Sequence, residues 1–478
     1  MKYLYDSLTA YQNSTAYPFH MPGHKRAGNE FVNPFLIDIT EIDQFDNLHH
    51  AEGILKEAQV RAAKLYGAEE THFLVNGSTA GILSAFSACI PKGGKILMAR
   101  NAHKAAYHGV LLNELEAVYL YPQVDSDTGI YGGIAVREIE EKLNAVPDIR
   151  AVMITSPTYD GVVTEVRNIA AVVHRHGIPL IVDEAHGAHF GFHPYFPENS
   201  VKLGADIVIH SLHKTLPALT QTALLHVNGT YVDREKLRRY LGIYQTSSPS
   251  YVLMGSIDEC IRRIATQGTE LFEDFCKRLE HFYRASEALK QIVVSGRSLV
   301  GKNNVFDFDR SKLLLGTKSN QLSGSEMQQI LRNRYQLELE MAAGRYALAL
   351  TSVSDTEEGF VRLLKALVEI DEELQIAAVK QPVVQSGAEV RYDAAIQMSS
   401  VYKIQEALTL KKETVVIEES EGRVAAEFLY CYPPGIPLLV PGERINGYAV
   451  ENIRNNRKNG LSIQGLADYK VKTIQVIG

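Results

Sequence analysis

The chain has 478 residues, 45% of them apolar and 22% charged, the profile of a soluble, well-packed globular protein of about three domains. Its 49 basic and 56 acidic residues leave a formal net charge of −7, which argues against a general nucleic-acid or membrane-surface binder, because neither polyanion attracts a net acidic chain. The four cysteines (Cys89, Cys260, Cys276 and Cys431) lie far apart with no Cys-x-x-Cys pair, so neither a disulfide scaffold nor a cysteine zinc site is expected.

The first residues, Met1 to Asp6, lack the apolar core of a signal peptide. The longest stretch free of Asp, Glu, Lys and Arg, Thr71 to Pro91, carries Asn76, Gly77, Ser78, Thr79, Ser84 and Ser87. It reads as strand, turn and helix rather than a membrane span. The expected location is the reducing cytoplasm.

Residues 1–50, rich in aromatics, Pro and His, read as an irregular arm laid over a body. Regular structure begins near Ala51, where Ile54, Leu55, Ala58, Ala62 and Leu65 fall at helical spacing and Gly67 is a C-cap candidate. Short apolar runs then alternate with helical stretches: Phe73–Val75, Ile96–Ala99, Val118–Tyr121, Val152–Thr155, Leu180–Val182, Ile207–Ile209 and Ala223–Val227. Seven such runs predict an α/β fold, a mainly parallel seven-stranded sheet with helices on both faces. This large domain spans 51–290, with a helical stretch from Ile257 to Leu289 leading out of it. A smaller α+β domain is expected at 291–376, a linker at 377–393 and a C-terminal domain at 394–478.

Ligand sites of open α/β sheets sit at the C-terminal ends of the strands. The run Leu74-Val75-Asn76-Gly77-Ser78-Thr79 ends a strand in a small-residue turn that opens a helix, which suits a phosphate cradle or, equally, a plain capped turn. Asp183 closes a very apolar strand, where an acid is costly unless paired or capped. Ser211-Leu212-His213-Lys214 closes the next. Lys214 there would have a lowered pKa, as a nucleophilic amine needs, although a surface lysine would read the same. A phosphate cradle, a buried acid and a lysine on one sheet are together the three anchors of pyridoxal 5′-phosphate.

Six strings, His20-Met-Pro-Gly-His24-Lys25, Asn76-Gly-Ser-Thr79, Arg100-Asn-Ala-His-Lys104, Asp183-Glu-Ala-His186, Ser211-Leu-His-Lys214 and Tyr432-Pro-Pro-Gly-Ile-Pro437, resemble the bacterial Orn/Lys/Arg decarboxylase family, in the family's order over nearly the whole chain. The chain begins at the arm, as in short members without the N-terminal wing domain. The resemblance implies the fold type I of pyridoxal-phosphate enzymes and α-decarboxylation of arginine, lysine or ornithine. It implies Lys214 as the Schiff-base lysine and Asp183 as partner of the pyridinium nitrogen. Ser78, Thr79 and Ser211 would hold the phosphate, His103 would stack on the ring and Ala185 would pack behind it. His186 falls with this cofactor-binding set, although long members carry Trp there. His213 would sit near the substrate carboxylate or move a proton. Ser247, in Gln245–Pro249, would reach a phosphate across the interface of a homodimer, alone or within a dimer of dimers. Glu340 would face the substrate.

Two departures from the family pattern are Asp46-Asn47, where paired acids are common, and Ala342-Ala343, where an acid often follows the Glu340 position. Both bear on the pocket for the distal cation of the substrate. Transamination or aldol-type cleavage keeps the same anchors, with Arg345 as a candidate for an α-carboxylate. A catalytically silent regulator on the same fold is the third reading. The roles of His20, His24 and Glu443 stay open, Glu443 being either substrate-facing or part of a rigid turn. Glu184, His186, His189 and His193 have the spacing of metal ligands, but no His-Glu-x-x-His helix accompanies them and no metal is expected.

Overall fold

The computed structural model describes residues 3–27, 31–380, 398–431, 435–458 and 462–478. The arm is less irregular than its composition predicts: a helix covers Leu4–Gln12 and a strand, β1, covers Tyr17–Phe19. The seven strands of the large sheet are β2 (Glu70–Leu74), β3 (Lys95–Ala99), β4 (Glu116–Leu120), β5 (Ile149–Thr155), β7 (Leu180–Asp183), β8 (Ile207–His210) and β9 (Ala223–Val227), while β6 (Val162–Val163) lies outside it. Their order is β2-β9-β8-β7-β5-β3-β4. β9 alone runs against the others, pairing antiparallel with β2 and β8. The reversal turns the start of β9 toward the same edge as the C-terminal ends of β2, β7 and β8.

β2 starts three residues earlier than the apolar run Phe73–Val75 implied. Glu70 and His72 are polar but pair across to β9, and Glu70 is held by Arg238 at 3.0 Å. Val75 leaves the ladder because its N–H donates to Gln245 at 2.8 Å. The helix expected from Ile257 begins at Tyr251, where the Ser250 hydroxyl caps Leu253 N–H at 3.3 Å, and runs to Ser286. Met254, Ile257, Ile261, Ile264, Phe272, Phe275, Leu279 and Phe282 form its buried stripe. Gly67 ends its helix at φ +78°, the left-handed geometry that a C-cap glycine tolerates best.

Beyond this helix come β10 (Ile292–Ser295), β11 (Asp307–Phe308), β12 (Lys312–Thr317), β13 (Leu337–Leu339), β14 (Met341–Ala342) and β15 (Tyr346–Leu350). β10, β12, β15 and β14 form an antiparallel sheet, and β1 of the arm adds alongside β13. A helix spans Glu357–Lys380, so the first four residues of the expected linker are helical, and 381–393 lie outside the described residues. The last part of the chain has its own core around Ala425, Leu429, Leu439, Ile445, Ile453 and Val476. No helix among the described residues is long and apolar enough to cross a membrane.

A buried hydrogen-bond chain crosses β7, β8, β9 and β2. Glu184 meets His210 Nε2 at 2.8 Å, His210 Nδ1 meets His226 Nε2 at 3.1 Å, and His226 Nδ1 meets Thr71 Oγ1 at 2.7 Å. Ser200 donates to Glu184 from its hydroxyl and from its N–H. Burial pushes the Glu184 carboxyl up to about 8 and the His210 imidazole down to about 3, so the chain carries no net charge near neutrality. The two groups act on stability with opposite signs. His210 contributes fully above its unfolded value and less as pH falls. Glu184 contributes fully below its unfolded value and less as pH rises toward 8. Between pH 7 and 5 the two effects, each about 2 kcal/mol, oppose one another. His210→Gln is therefore expected to gain about 2 kcal/mol relative to wild type on acidification over this range, and Glu184→Gln to lose about as much. Urea midpoints at the two pH values check both; equal pH slopes in all three proteins would refute the account.

Candidate active site

The ends of β2, β7 and β8 meet around a cavity of about 380 Å³. After β2, Gly77 takes φ +68° and opens the helix Gly77–Cys89 with its N–H on the Gln221 carbonyl at 3.0 Å. Asn76 gives this helix no side-chain cap, because its amide donates to Tyr244 O instead, at 3.3 Å. The first-turn N–H groups thus face the cavity uncapped by the chain. Beside them Ser78 Oγ and Ser211 Oγ stand 2.6 Å apart, although they are far apart in sequence. Thr79 also lines the cavity and is exposed. Two converging hydroxyls at an open helix N-terminus suit a phosphate.

Asp183 is buried, and its Oδ1 accepts from Ala185 N–H at 3.2 Å. Burial raises its pKa, opposed by the charge of Lys214. It makes no ion pair among the described residues, so a cation in the cavity has a carboxylate waiting for it. Lys214 sits on the short helix Leu212–Thr215 after β8. Desolvation lowers its pKa, the charges of Asp183 and Glu340 oppose this, and Lys312 adds to it. Its Nζ lies 3.1 Å from His186 Nε2. The His186 ring packs against Tyr159, centroids 4.5 Å apart, and its buried Nδ1 has no partner among the described residues.

His103 caps the helix Lys104–Leu112, its Nδ1 accepting from Ala105 N–H at 3.2 Å. Burial, then the charge of Lys214, lowers it to about 3, so the ring over the cavity is neutral. His213 donates from Nδ1 to Thr222 O at 2.9 Å, just before the reversed β9, which leaves Nε2 for the cavity. Burial holds this imidazole down to about 4. Ala185 is buried against the same space. Lys214, Asp183, a neutral ring at His103, the hydroxyl pair and the orphaned His186 nitrogen together fit pyridoxal phosphate.

The arm closes one side. Gly23 N–H donates to His213 O at 2.6 Å, and a Cβ on Gly23 would meet Leu216 O at 2.8 Å, so only glycine passes here. Lys25 is buried and donates to Leu350 O at 2.6 Å and His20 O at 3.0 Å, with Asp355 at 3.8 Å. Met21 and Pro22 thereby line the cavity. His20 bonds Tyr11 OH at 2.8 Å and His24 accepts from Arg26 N–H at 3.0 Å, so both serve the shape of the arm and neither lines the cavity.

Glu340, between β13 and β14, faces the cavity; its Oε2 accepts from Met21 N–H at 2.7 Å and its Oε1 from Tyr159 OH. Glu443 does not face it. Arg100 holds both its oxygens, at 3.2 and 3.0 Å, and the Pro437 and Leu438 carbonyls as well. Glu443 therefore anchors the turn that brings Ile436 to the cavity wall; Tyr432 to Pro434 lie outside the described residues. Ser247 is exposed and away from the cavity within one chain. Arg345 donates to Ser126 O and Asp127 O, both at 2.7 Å, and does not line the cavity either.

Of the histidines with metal-like spacing, His189 pairs with Asp309 at 3.1 Å and His193 with Glu273 at 3.2 Å, while His186 meets Lys214. Their side chains serve different neighbours. Sequence reasoning missed the loop after β5, which brings Thr158, Tyr159 and Asp160 to the cavity. Polar residues at a strand's C-terminal end were the available signal.

The chain matches the family model of the Orn/Lys/Arg decarboxylase major domain over residues 3–319 and that of the family's C-terminal domain over 385–459. It is 32% identical to an arginine decarboxylase of Halalkalibacterium halodurans, over 99% of this chain and 97% of that one. It is 30% identical to an arginine decarboxylase of Bacillus subtilis with the same coverage. Among solved structures it resembles the constitutive lysine decarboxylase of E. coli (TM-score 0.76, 21% identity, 99% of this chain and 81% of that one). It also resembles SPT in its PLP internal aldimine form (TM-score 0.56, 16% identity, 76% of this chain and 88% of that one). The fold is that of fold type I pyridoxal-phosphate enzymes, and the chain belongs to the Orn/Lys/Arg decarboxylase family.

Proposed function

We propose that this chain binds pyridoxal 5′-phosphate through Lys214 and α-decarboxylates a basic amino acid, with arginine the first substrate to try. The observation that carries the reaction type is the cavity's cation inventory. Among the described residues lining it, Lys214 is the one Lys or Arg. An aminotransferase needs a fixed cation to hold the α-carboxylate, and Arg345 is engaged elsewhere. A carboxylate left without a partner in a desolvated site loses its charge more readily as CO2. Arginine stands first because relatives of matching length are named arginine decarboxylases, whereas a constitutive lysine decarboxylase of E. coli is 24% identical.

When bound, pyridoxal phosphate supplies an aldehyde for the amine and a ring that accepts electrons. The side chains prepare its place. Ser78, Thr79 and Ser211 hold the phosphate with the first-turn N–H groups of the helix. Asp183 keeps a proton on the ring nitrogen, since a desolvated carboxylate gains most from a cation against it. His103, neutral, offers a flat face without competing for charge. His186 accepts from the Lys214 ammonium and fixes its direction before reaction. Desolvation makes the neutral amine of Lys214 easier to reach. His213, neutral with its Nδ1 proton on Thr222 O, presents a bare Nε2 to the cavity and would have to take a proton there, as from the Lys214 ammonium, before passing it to Cα; direct return from Lys214 is the other candidate. A substrate with a distal cation also needs a carboxylate, and Glu340 and Asp160 both line the cavity.

Exposed Thr79 and Ser247 support a homodimer in which Ser247 reaches the partner's phosphate. The exposed Phe35 and Leu36 of the arm, at 90% and 76%, support burial of this surface in such a dimer. Free Cys260 and Cys276 accord with work in the cytoplasm.

Incubation of the loaded protein with equal arginine, lysine and ornithine is expected to yield one amine by mass spectrometry; cofactor bound with no amine formed would turn the reading toward transamination or another substrate. Lys214→Ala is expected to abolish the mass increase that borohydride reduction gives the loaded protein, and the assignment falls if the increase persists. His213→Gln is expected to slow turnover by about 100-fold or more with cofactor binding intact, as loss of a general acid does; an unchanged kcat would leave the proton with Lys214.

A further inference from the structure

The arm meets the site through a short strap, Met21 to Gly23, that is tied on both sides. Met21 N–H donates to Glu340, beyond the large sheet, at 2.7 Å. Gly23 N–H donates to His213 O at 2.6 Å, and the Gly23 carbonyl accepts from the Ser352 hydroxyl at 2.6 Å. The same glycine lies against the backbone of Thr215 and Leu216, so the strap rests directly on the helix Leu212–Thr215 that carries Lys214. Met21 and Pro22 form part of the cavity wall.

One buried ammonium holds the strap in this place. Lys25 Nζ donates to Leu350 O, at the end of β15, at 2.6 Å and to His20 O, at the start of the strap, at 3.0 Å. Asp355 stands 3.8 Å from the same nitrogen, which accounts for the third donor, and both side chains are closed to water. Asp355 is itself fixed, accepting from Tyr17 OH at 3.0 Å and from Ser352 N–H at 2.7 Å. Lys25 and Arg26 stand at φ +51° and +59°, a left-handed geometry that side chains resist. Arg26 pulls outward, its guanidinium donating to Tyr11 O at 2.9 Å and to Ala16 O. Such a turn persists only while its surroundings hold it, and Lys25 is the inward tie. Neither Lys25 nor Asp355 lines the cavity, so any effect on the reaction has to pass through the strap. Resting on the pyridoxal-phosphate decarboxylase reading above, we propose that Lys25 is a positioning residue: its ammonium pins Met21–Gly23 between the small sheet and the Lys214 helix, and so keeps water out on that side of the cavity. Loss of a carboxylate as CO2 is favoured where water is excluded, which gives the pin its bearing on catalysis.

Lys25→Met keeps the stem and removes the donors. The test is acrylamide quenching of pyridoxyl fluorescence after borohydride has fixed pyridoxal phosphate on Lys214, alongside kcat and KM for arginine on unreduced protein. Lys25→Met is expected to raise the quenching constant about threefold or more and to lower kcat about 10- to 100-fold, with a smaller change in KM. Ser352→Ala, which frees Gly23 O alone, is expected to raise quenching too, and it decides the matter should Lys25→Met not fold. Ile169→Val, in a core cluster that includes no residue of the arm, imposes a loss of stability alone and is expected to quench as wild type does. The proposal is overturned if the folded Lys25→Met protein, or Ser352→Ala in its place, quenches as wild type does, or if Ile169→Val shows an equal rise. Wild-type protein that gains no pyridoxyl fluorescence on reduction would overturn the Lys214 reading and the proposal with it, whereas unchanged quenching in the variants overturns the role of Lys25 alone.

Discussion

Keeping a lysine amine away from water at the mouth of a β-sheet is the constraint on which the rest of the structure depends. Lys214 is surrounded by its own sheet, by His186, and by an arm segment that bonds to the residue before it. Desolvation favours the neutral amine, and acids at two distances moderate that effect: Asp183 on the neighbouring strand and Glu340 from beyond the large sheet. The single reversed strand belongs to this account, since Thr222, the residue just before it, receives the hydrogen bond that orients His213.

Much of this was legible in residue order because the relevant signals are local. Asp183, Ser211 and Lys214 announce themselves as polar residues closing apolar strands, and the turn at Asn76-Gly77 marks a helix start. The strand ends shifted where polar residues sit in the ladder. Glu70 and His72 look like loop residues until β9 pairs with them and Arg238 meets Glu70. Periodicity cannot see a partner that lies far along the chain.

The same limit hid the arm. Nothing in the residues beside Lys25 shows that it is buried, since one of the two carbonyls that converge on its ammonium, that of Leu350, lies far along the chain from the other, that of His20. Glu443 read equally well as a substrate acid or as part of a turn, and only the fold shows Arg100 holding both of its oxygens. Tyr159 and Asp160 were overlooked although they follow a strand end, because they lack the short-range pattern that made Asp183 conspicuous. A carboxylate's role depends on what faces it, and that is a tertiary property.

The turn held by Arg100 and Glu443 bears on how far this protein divides into parts. Gly435 O accepts from Lys104 N–H at 3.0 Å, at the start of the helix that His103 caps, and Ile436 forms part of the cavity wall. The chain thus travels some three hundred residues past Lys104 before the wall around that helix is finished. The C-terminal part is not an appendage to a self-sufficient catalytic body. Cutting the chain before Gly435 would strip the Lys104 N–H of its acceptor and open the cavity on the side that Ile436 closes.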